Sequence, residues 1–534
     1  MLRITNFNVP FDDTASLTEL AAKRLKLPPQ AVLEVVIVRK AVDARRYKNA
    51  PIQFVYVLDV KVTGSEDKIL AKLHRDKQVA RVESAILQPV NSGTKVLPER
   101  PVVVGFGPAG MFAALTLAQN GYKPLVLERG RDVDRRQADI AKFWAGGQLD
   151  PESNVQFGEG GAGTFSDGKL TTRISDGNMQ QVLDAFIAAG APPEIKYLHK
   201  PHIGTDILRT VVKNIRREII RLGGEVRFEA KVEDIIIDND RLAAVTLAGG
   251  EKISCCALLL GIGHSARDTY AMLRQRQVAM EAKPFAIGVR IEHPQEIIDR
   301  AQYGADAGDS RLPAADYALT FQDRESGRGA YSFCMCPGGL VVAAASETGG
   351  VVTNGMSNYQ RNSGIANSAL LVTVGPEDFG GDVLAGIEFQ REWEQKAFRC
   401  AGGDYRAPVQ SVGDFLAGSA GSTDFLTRPT YAPGVKAVDL RQCLPDFVSG
   451  TLVRALPHFD RKIKGFADPG ALMTGVEMRS SAPCRIRRGR ESYVSENTEG
   501  LYPIGEGAGY AGGIMSAAVD GMNAALAVIR QYKL

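Results

Sequence analysis

The chain has 534 residues, 44% hydrophobic and 23% charged, with a formal net charge of +3. Its length predicts two or three domains, since single cores rarely grow past about 300 residues. Near-neutral charge argues against a dedicated nucleic-acid binder, and no apolar run reaches the roughly 20 residues of a membrane span. Seven cysteines without a C-x-x-C pair argue against a zinc site. With a start, MLRITNFNVP, that lacks an apolar signal core, they lead us to expect a cytoplasmic protein.

Residues 1–100 hold 17 Lys/Arg against 11 Asp/Glu, a net of +6, which leaves −3 for the rest. A separate amino-terminal module is therefore expected. Residues 2–7, 32–39, 53–62 and 79–82 read as strands and 17–27 and 67–74 as helices. That order, βαββαβ, predicts a ferredoxin-like module over 1–90. The connection 40–51 carries Arg45, Arg46 and Lys48; it reads as a solvated loop, with docking of an acidic partner as the alternative. Residues 91–99, with Gly93 and Pro98, read as a linker.

Residues 102–130 are the most informative stretch. Val102, Val103 and Val104 lead into Gly105-Phe106-Gly107-Pro108-Ala109-Gly110, a G-x-G-x-x-G between a strand and a helix over about 108–120. Gly105 permits the turn, Gly107 clears space for a pyrophosphate, and Gly110 allows close helix–strand packing. The helix aims its free amides and positive dipole end at that phosphate. Strand 123–127 then delivers Glu128, an acceptor for ribose hydroxyls. Arg129, Arg135 and Arg136 follow where a dinucleotide's charge would need neutralising. A second G-x-G-x-x-G, at Gly158, Gly160 and Gly163, has no strand before it. It reads as a glycine loop with open amides passing a flat ligand or its phosphates.

Residues 204–222 read as a helix capped by Thr205 or Asp206, with an apolar stripe from Ile207 to Leu222. Strands at 225–228, 231–237, 242–247 and 253–255 make a small meander, and 257–262 a return strand ending at Gly261-Ile262-Gly263-His264. Residues 281–470 are mixed and rich in Gly and Pro, with strands expected at 285–291, 330–335 and 340–345. A strand over 499–506, the run 507–513 and a helix over 514–532 close the chain.

These separated elements resemble the FAD-binding domain of the glutathione-reductase-like flavoprotein superfamily. The chain is similar in more detail to the bacterial FAD-dependent dehydrogenases without an assigned substrate, through NVQFGEGGAGTFSDGKL, PFAIGVRIEHPQ, CMCPGG, VVTNGMSNYQ and GVEMRSSAPCRIRR. The resemblance implies an α/β fold: a Rossmann-type FAD-binding domain split by an inserted mixed α+β substrate domain. The first part would span 100–280, the insertion 281–470 and the return 471–534. It implies FAD as cofactor, held by Gly105, Gly107, Pro108, Ala109, Gly110, Glu128, Arg129 and Arg136. Gly160, Gly161 and Thr164 would lie along the pyrophosphate and flavin side and the Val232 backbone at the adenine, with Lys169 either at the flavin edge or a plain surface lysine. Gly261 and Gly263 would end the return strand, and Gly505, Glu506, Gly512, Gly513 and Ile514 would meet the ribityl chain and flavin. Glu506 stands where the superfamily usually has Asp, as in its fumarate-reductase-type branch.

Catalytic residues are not assigned by sequence. Cys334 and Cys336 read as core thiols, with a flavin-linked dithiol as the alternative. His293 reads as structural rather than as a proton donor. Arg479, Arg485, Arg487 and Arg488 suggest an anionic ligand, and the His199/His202 pair lacks the companions of a metal site. The expected function is an FAD-dependent oxidoreductase acting on an unidentified small molecule, with NAD(P)H or a protein as electron donor. The alternatives are a non-catalytic FAD-binding redox sensor and an NAD-linked dehydrogenase.

Overall fold

The computed structural model describes residues 1–45, 51–82 and 91–534, so the expected cations Arg46 and Lys48 lie outside the described residues. Two compact units are present: Met1–Pro89 with Pro192–Pro201 and Gln302–Pro313, and the remainder of the chain.

The first unit is built on four antiparallel strands in the order Val32–Asp43, Gln53–Val62, Leu2–Pro10, Val79–Arg81. Helices Leu17–Leu25 and Glu66–Lys72 complete the strand-helix-strand-strand-helix-strand sequence. Strict alternation along Gln53–Val62 buries Phe54, Tyr56, Leu58, Val60 and Val62 on one face, the pattern of a half-buried strand. Ser16 and Glu19 form a capping box at the first helix, Ser16 Oγ accepting from the Glu19 amide at 3.2 Å. Segment Pro192–Pro201 borders the long outer strand: the Lys40 amide donates to Tyr197 O, and the His199 amide to Lys40 O.

The second unit contains a five-stranded parallel sheet in the order Leu501–Pro503, Leu258–Leu260, Val102–Val104, Leu125–Leu127, Glu225–Arg227. The strands are short and buried on both faces, hence uniformly apolar in their central members. Helices Pro108–Gln119 and Ile514–Gln531 pack together beside it. Gly521 makes that approach possible, since a Cβ there would stand 1.9 Å from Ala109 O. The meander Val232–Asp238, Arg241–Leu247, Lys252–Ser254 is antiparallel. The expected linker is tied down: Lys95–Val96 pairs in parallel with Tyr532–Lys533.

A seven-stranded sheet follows the order Thr320–Gln322, Gly329–Cys336, Ile365–Val374, Phe285–Pro294, Leu472–Glu477, Ala407–Ser411, Val435–Ala437. Leu472–Glu477 pairs between Phe285–Pro294 and Ala407–Ser411. The inserted sheet thus runs past the expected end at residue 470. Met280–Ala282 and Cys484–Ile486 pair antiparallel where the chain enters and leaves it. The stretch expected as a strand over 340–345 forms Leu340–Ala343, which pairs with Thr353–Met356 outside the large sheet.

Candidate functional site

The strand order reverses direction between Val102–Val104 and Leu258–Leu260, and the carboxyl ends of such strands are where α/β sheets bind ligands. Gly105 follows one strand and Gly261 the other, and they touch: a Cβ on Gly105 would lie 2.3 Å from Gly261 O. The third strand brings Gly505 against Ala109 and Gly507 against Gly263. Tyr270 braces the junction, its hydroxyl donating to Gly507 O at 2.7 Å. Asp520, on the closing helix, accepts from the Gly505 amide at 2.7 Å and pairs with Arg488 at 2.6 Å. Three segments far apart in sequence therefore meet at one sheet end.

The glycines there fall into two classes. Gly105, Gly110, Gly505 and Gly521 are demanded by packing, because a Cβ on any of them would strike protein atoms at 2.6 Å or less. Gly107 and Gly512 are not. A Cβ on Gly107 would meet nothing closer than 3.7 Å, one on Gly512 nothing closer than 3.9 Å, and neither has positive φ. Neither crowding nor backbone conformation accounts for a missing side chain at these two positions. A ligand lying over both turns does account for it, so the residues present fit an extended dinucleotide.

Glu128 is buried, and its carboxylate binds the protein itself. Oε2 accepts from the Phe106 amide at 2.7 Å, and Oε1 from the Gly130 and Gly158 amides at 2.9 Å each. It thereby fastens the first glycine turn to the second glycine loop. Of the four lone-pair sites on a carboxylate, one on Oε2 remains for a ribose hydroxyl.

The second glycine loop carries a short 3-10 turn, Ala162–Phe165, in place of a helix. Its amides are largely occupied: Gly160 donates to Phe106 O, Gly161 to Gly158 O and Thr164 to Gly161 O. The expected open amides are corrected accordingly. What the loop brings to the site is close approach, Gly161 facing Gly107 and Gly163 facing Ile514 and Pro108.

The arginine assignments are corrected as well. Arg136 is fully buried and donates to the carbonyls of Asn154, Val155, Gly158 and Glu159, so it shapes the glycine loop from behind. With no carboxylate in contact, burial pulls its pKa down to about 10. Arg129 pairs with Glu152 and Asp268 and covers the Phe157 ring. Arg479 pairs with Glu394, Arg485 with Glu281, Arg487 with Glu496 and Arg488 with Asp520, so each of that cluster has its own carboxylate. Thr205 and Asp206 do not cap their helix. Gly204 is the N-cap, the Thr205 hydroxyl donates to Thr164 O, and Asp206 accepts from the Tyr359 amide.

Near the carboxyl end of Leu125–Leu127 opens a cleft of about 360 Å³, lined by Arg129, Glu152, Phe157, Ser265 and Asp268. Val232 starts the meander strand two residues after Ala230, whose amide donates to Glu128 O. A different chemistry gathers near the closing helix. Glu506 accepts from the Gly513 amide, and burial pushes its carboxyl up to about 7. The Lys283 charge opposes that shift, and burial lowers the lysine in turn. Cys334 stands within electrostatic reach of Glu506 and Lys169. Lys169 lies 3.9 Å from Asp167, which is buried and bound by Arg361. His293 is a core residue: Nε2 contacts Phe466 O at 2.7 Å, and burial lowers its pKa to about 4. Among the described residues no group of His, Cys, Asp and Glu side chains could hold a metal ion, and no helix is long and apolar enough to cross a membrane.

Residues 284–480 match the family described as "FAD-dependent protein, C-terminal domain-like", and residues 1–61 match a domain of unknown function. An uncharacterized protein of Clostridium beijerinckii is 51% identical over 535 residues, covering 100% of this chain and 99% of its own length. Among solved structures, CtdE in complex with FAD is 12% identical, with 80% of this chain and 83% of that one covered and a TM-score of 0.32. Glycine oxidase from Bacillus cereus is 11% identical, with 80% and 94% covered and a TM-score of 0.31. The cofactor named in the description of the family matched over residues 284–480 is FAD. The chain belongs to the family of the Clostridium beijerinckii protein.

Proposed function

We propose that this chain is an FAD-dependent oxidoreductase acting on a small molecule. Its architecture in this reading is a Rossmann-type FAD domain split by a substrate domain, with a ferredoxin-like module in front. Gly107 would make room for the pyrophosphate, Glu128 would meet the ribose of the AMP half, and Gly512, Gly513 and Ile514 would meet the ring. Bound FAD supplies two-electron chemistry, and the protein supplies orientation and protons.

The observation that carries an enzymatic reading is Glu506. Burial pushes its carboxyl up to about 7, Lys283 and Cys334 lie within electrostatic reach, and it adjoins the Gly513 amide that opens the closing helix. A group poised near the working pH suits proton transfer to or from a substrate. The Gly513 and Ile514 amides, at a helix N-terminus, favour negative charge developing on a nearby ring. Electrons come from NAD(P)H visiting the site or from a protein partner of the basic amino-terminal module. The free state of all seven cysteines suits a reducing cytoplasm.

The test is an anaerobic screen of metabolites and of NADH and NADPH against the FAD-loaded protein, read by loss of visible flavin absorbance. One donor is expected to bleach it and an acceptor to restore it. A bound flavin that resists every donor would point instead to a structural or sensing role.

A further inference from the structure

Cys334 and Cys336 lie outside the glycine turns that hold the cofactor in this reading. A regular strand would set their side chains on one face, a full pleat apart. The strand Gly329–Cys336 is irregular at that point. Phe333 opposes Ala369 and Cys336 opposes Asn367, so one extra residue bulges from the ladder. Cys334 lies in that bulge with φ +44°, a left-handed conformation that costs a residue with a Cβ and that glycine would adopt freely. Bulges re-aim side chains and concentrate next to active sites.

The consequence is that the Cys336 thiol turns back onto Cys334. The Cys336 thiol donates to Cys334 O at 3.3 Å. Arg290, fully buried, donates to Cys334 O at 3.1 Å. Its charge and that of Lys169 favour a thiolate at Cys334, whereas burial and the neighbouring sulfur push the Cys336 thiol up. Cys334 is half-buried and Cys336 buried, the arrangement of an attacking thiol and a resolving one. Glu506, at the redox end of the cofactor site, feels the Cys334 charge.

We propose that Cys334 and Cys336 are a redox-active dithiol that exchanges an electron pair with the bound cofactor, an inference that rests on the FAD reading above. In the oxidising direction both S–H bonds break and one S–S bond forms. Two electrons and two protons leave the sulfurs and reduce the bound FAD; the reverse reaction restores the thiols. A ring closed through a single intervening residue is short, which keeps the disulfide labile and easily reopened.

The test uses the full-length protein loaded with FAD, loading being read first from its visible absorbance. Of the seven thiols, five are expected to titrate under denaturing conditions after air oxidation, and all seven after reduction. Peptide mapping should place the link between Cys334 and Cys336. Dithiothreitol should then bleach the flavin of Cys334→Ser and Cys336→Ser roughly tenfold more slowly than that of wild type. Alanine variants repeat the comparison if a serine variant does not fold, and the wild-type thiol count stands in either case. A yellow protein that keeps seven thiols in air, or whose variants bleach at the wild-type rate, overturns the dithiol and leaves the FAD reading intact. A protein that refuses FAD overturns the FAD reading and removes the electron acceptor with it.

Discussion

Gly107 and Gly512 make opposite demands from the glycines around them. A single Cβ at Gly107 would meet nothing closer than 3.7 Å, so Gly107→Ala should shift apo stability by no more than about 0.5 kcal/mol. The same side chain would occupy the space assigned to the pyrophosphate, and FAD affinity should fall at least roughly tenfold, about 1.4 kcal/mol. Gly110→Ala reverses the pattern: its Cβ would stand 1.9 Å from Gly105 O, so the fold itself should suffer, as thermal unfolding would register. Glu506 gives a pH prediction. It holds its proton up to about 7 in the folded protein, above the ordinary carboxyl range. The folded state therefore binds more protons than the unfolded one across that window, and stability falls as pH rises through it. A flavin-reduction step that draws this proton should likewise slow above about pH 7. Glu506→Gln should flatten both dependences, and a reduction profile unchanged by that substitution removes Glu506 from the chemistry.

Between elements, buried charge does much of the joining. Glu394, on helix Ala385–Cys400, accepts from Arg267 beyond the Leu258–Leu260 strand and from Arg479 after Leu472–Glu477. Both guanidiniums hold its pKa down to about 2. Glu394→Ala would strip two buried arginines of the carboxylate they share, leaving Arg267 with Glu347 and Arg479 with Ser346, and should cost about 3 kcal/mol in a denaturant midpoint analysis. None of this network was legible in the sequence, because the partners lie more than 80 residues apart. The same reason misled the reading of Arg129 and of Arg479–Arg488: local sequence shows the cations but not the distant carboxylates that neutralise them. Arg136 is the sharper case, since its acceptors are main-chain carbonyls, to which side-chain chemistry gives no clue. The first glycine turn was legible because strand, turn, helix and acid are local and each glycine has a steric reason to be there. The bulge at Cys334 was not, since its residue types also suit an unbroken alternating strand.

At the scale of the molecule, the chain threads one parallel sheet from three widely separated stretches and inserts a seven-stranded sheet between the second and third. The return strand Leu501–Pro503 and helix Ile514–Gln531 complete a site begun about 400 residues earlier at Val102–Val104. Asp520 is the fastener, holding the Gly505 amide and Arg488 together. Asp520→Ala should weaken FAD binding without touching the first glycine turn, as titration of the variant with FAD would measure. In this reading the first glycine turn and the closing helix grip one flavin. The visible spectrum of the purified full-length protein before and after added FAD, beside that of Gly107→Ala, tests this. The account predicts a flavin spectrum at one equivalent in wild type and a protein of near-wild-type stability but little flavin in the variant. A folded wild type that stays colourless with FAD, or a variant that binds it equally well, would contradict it.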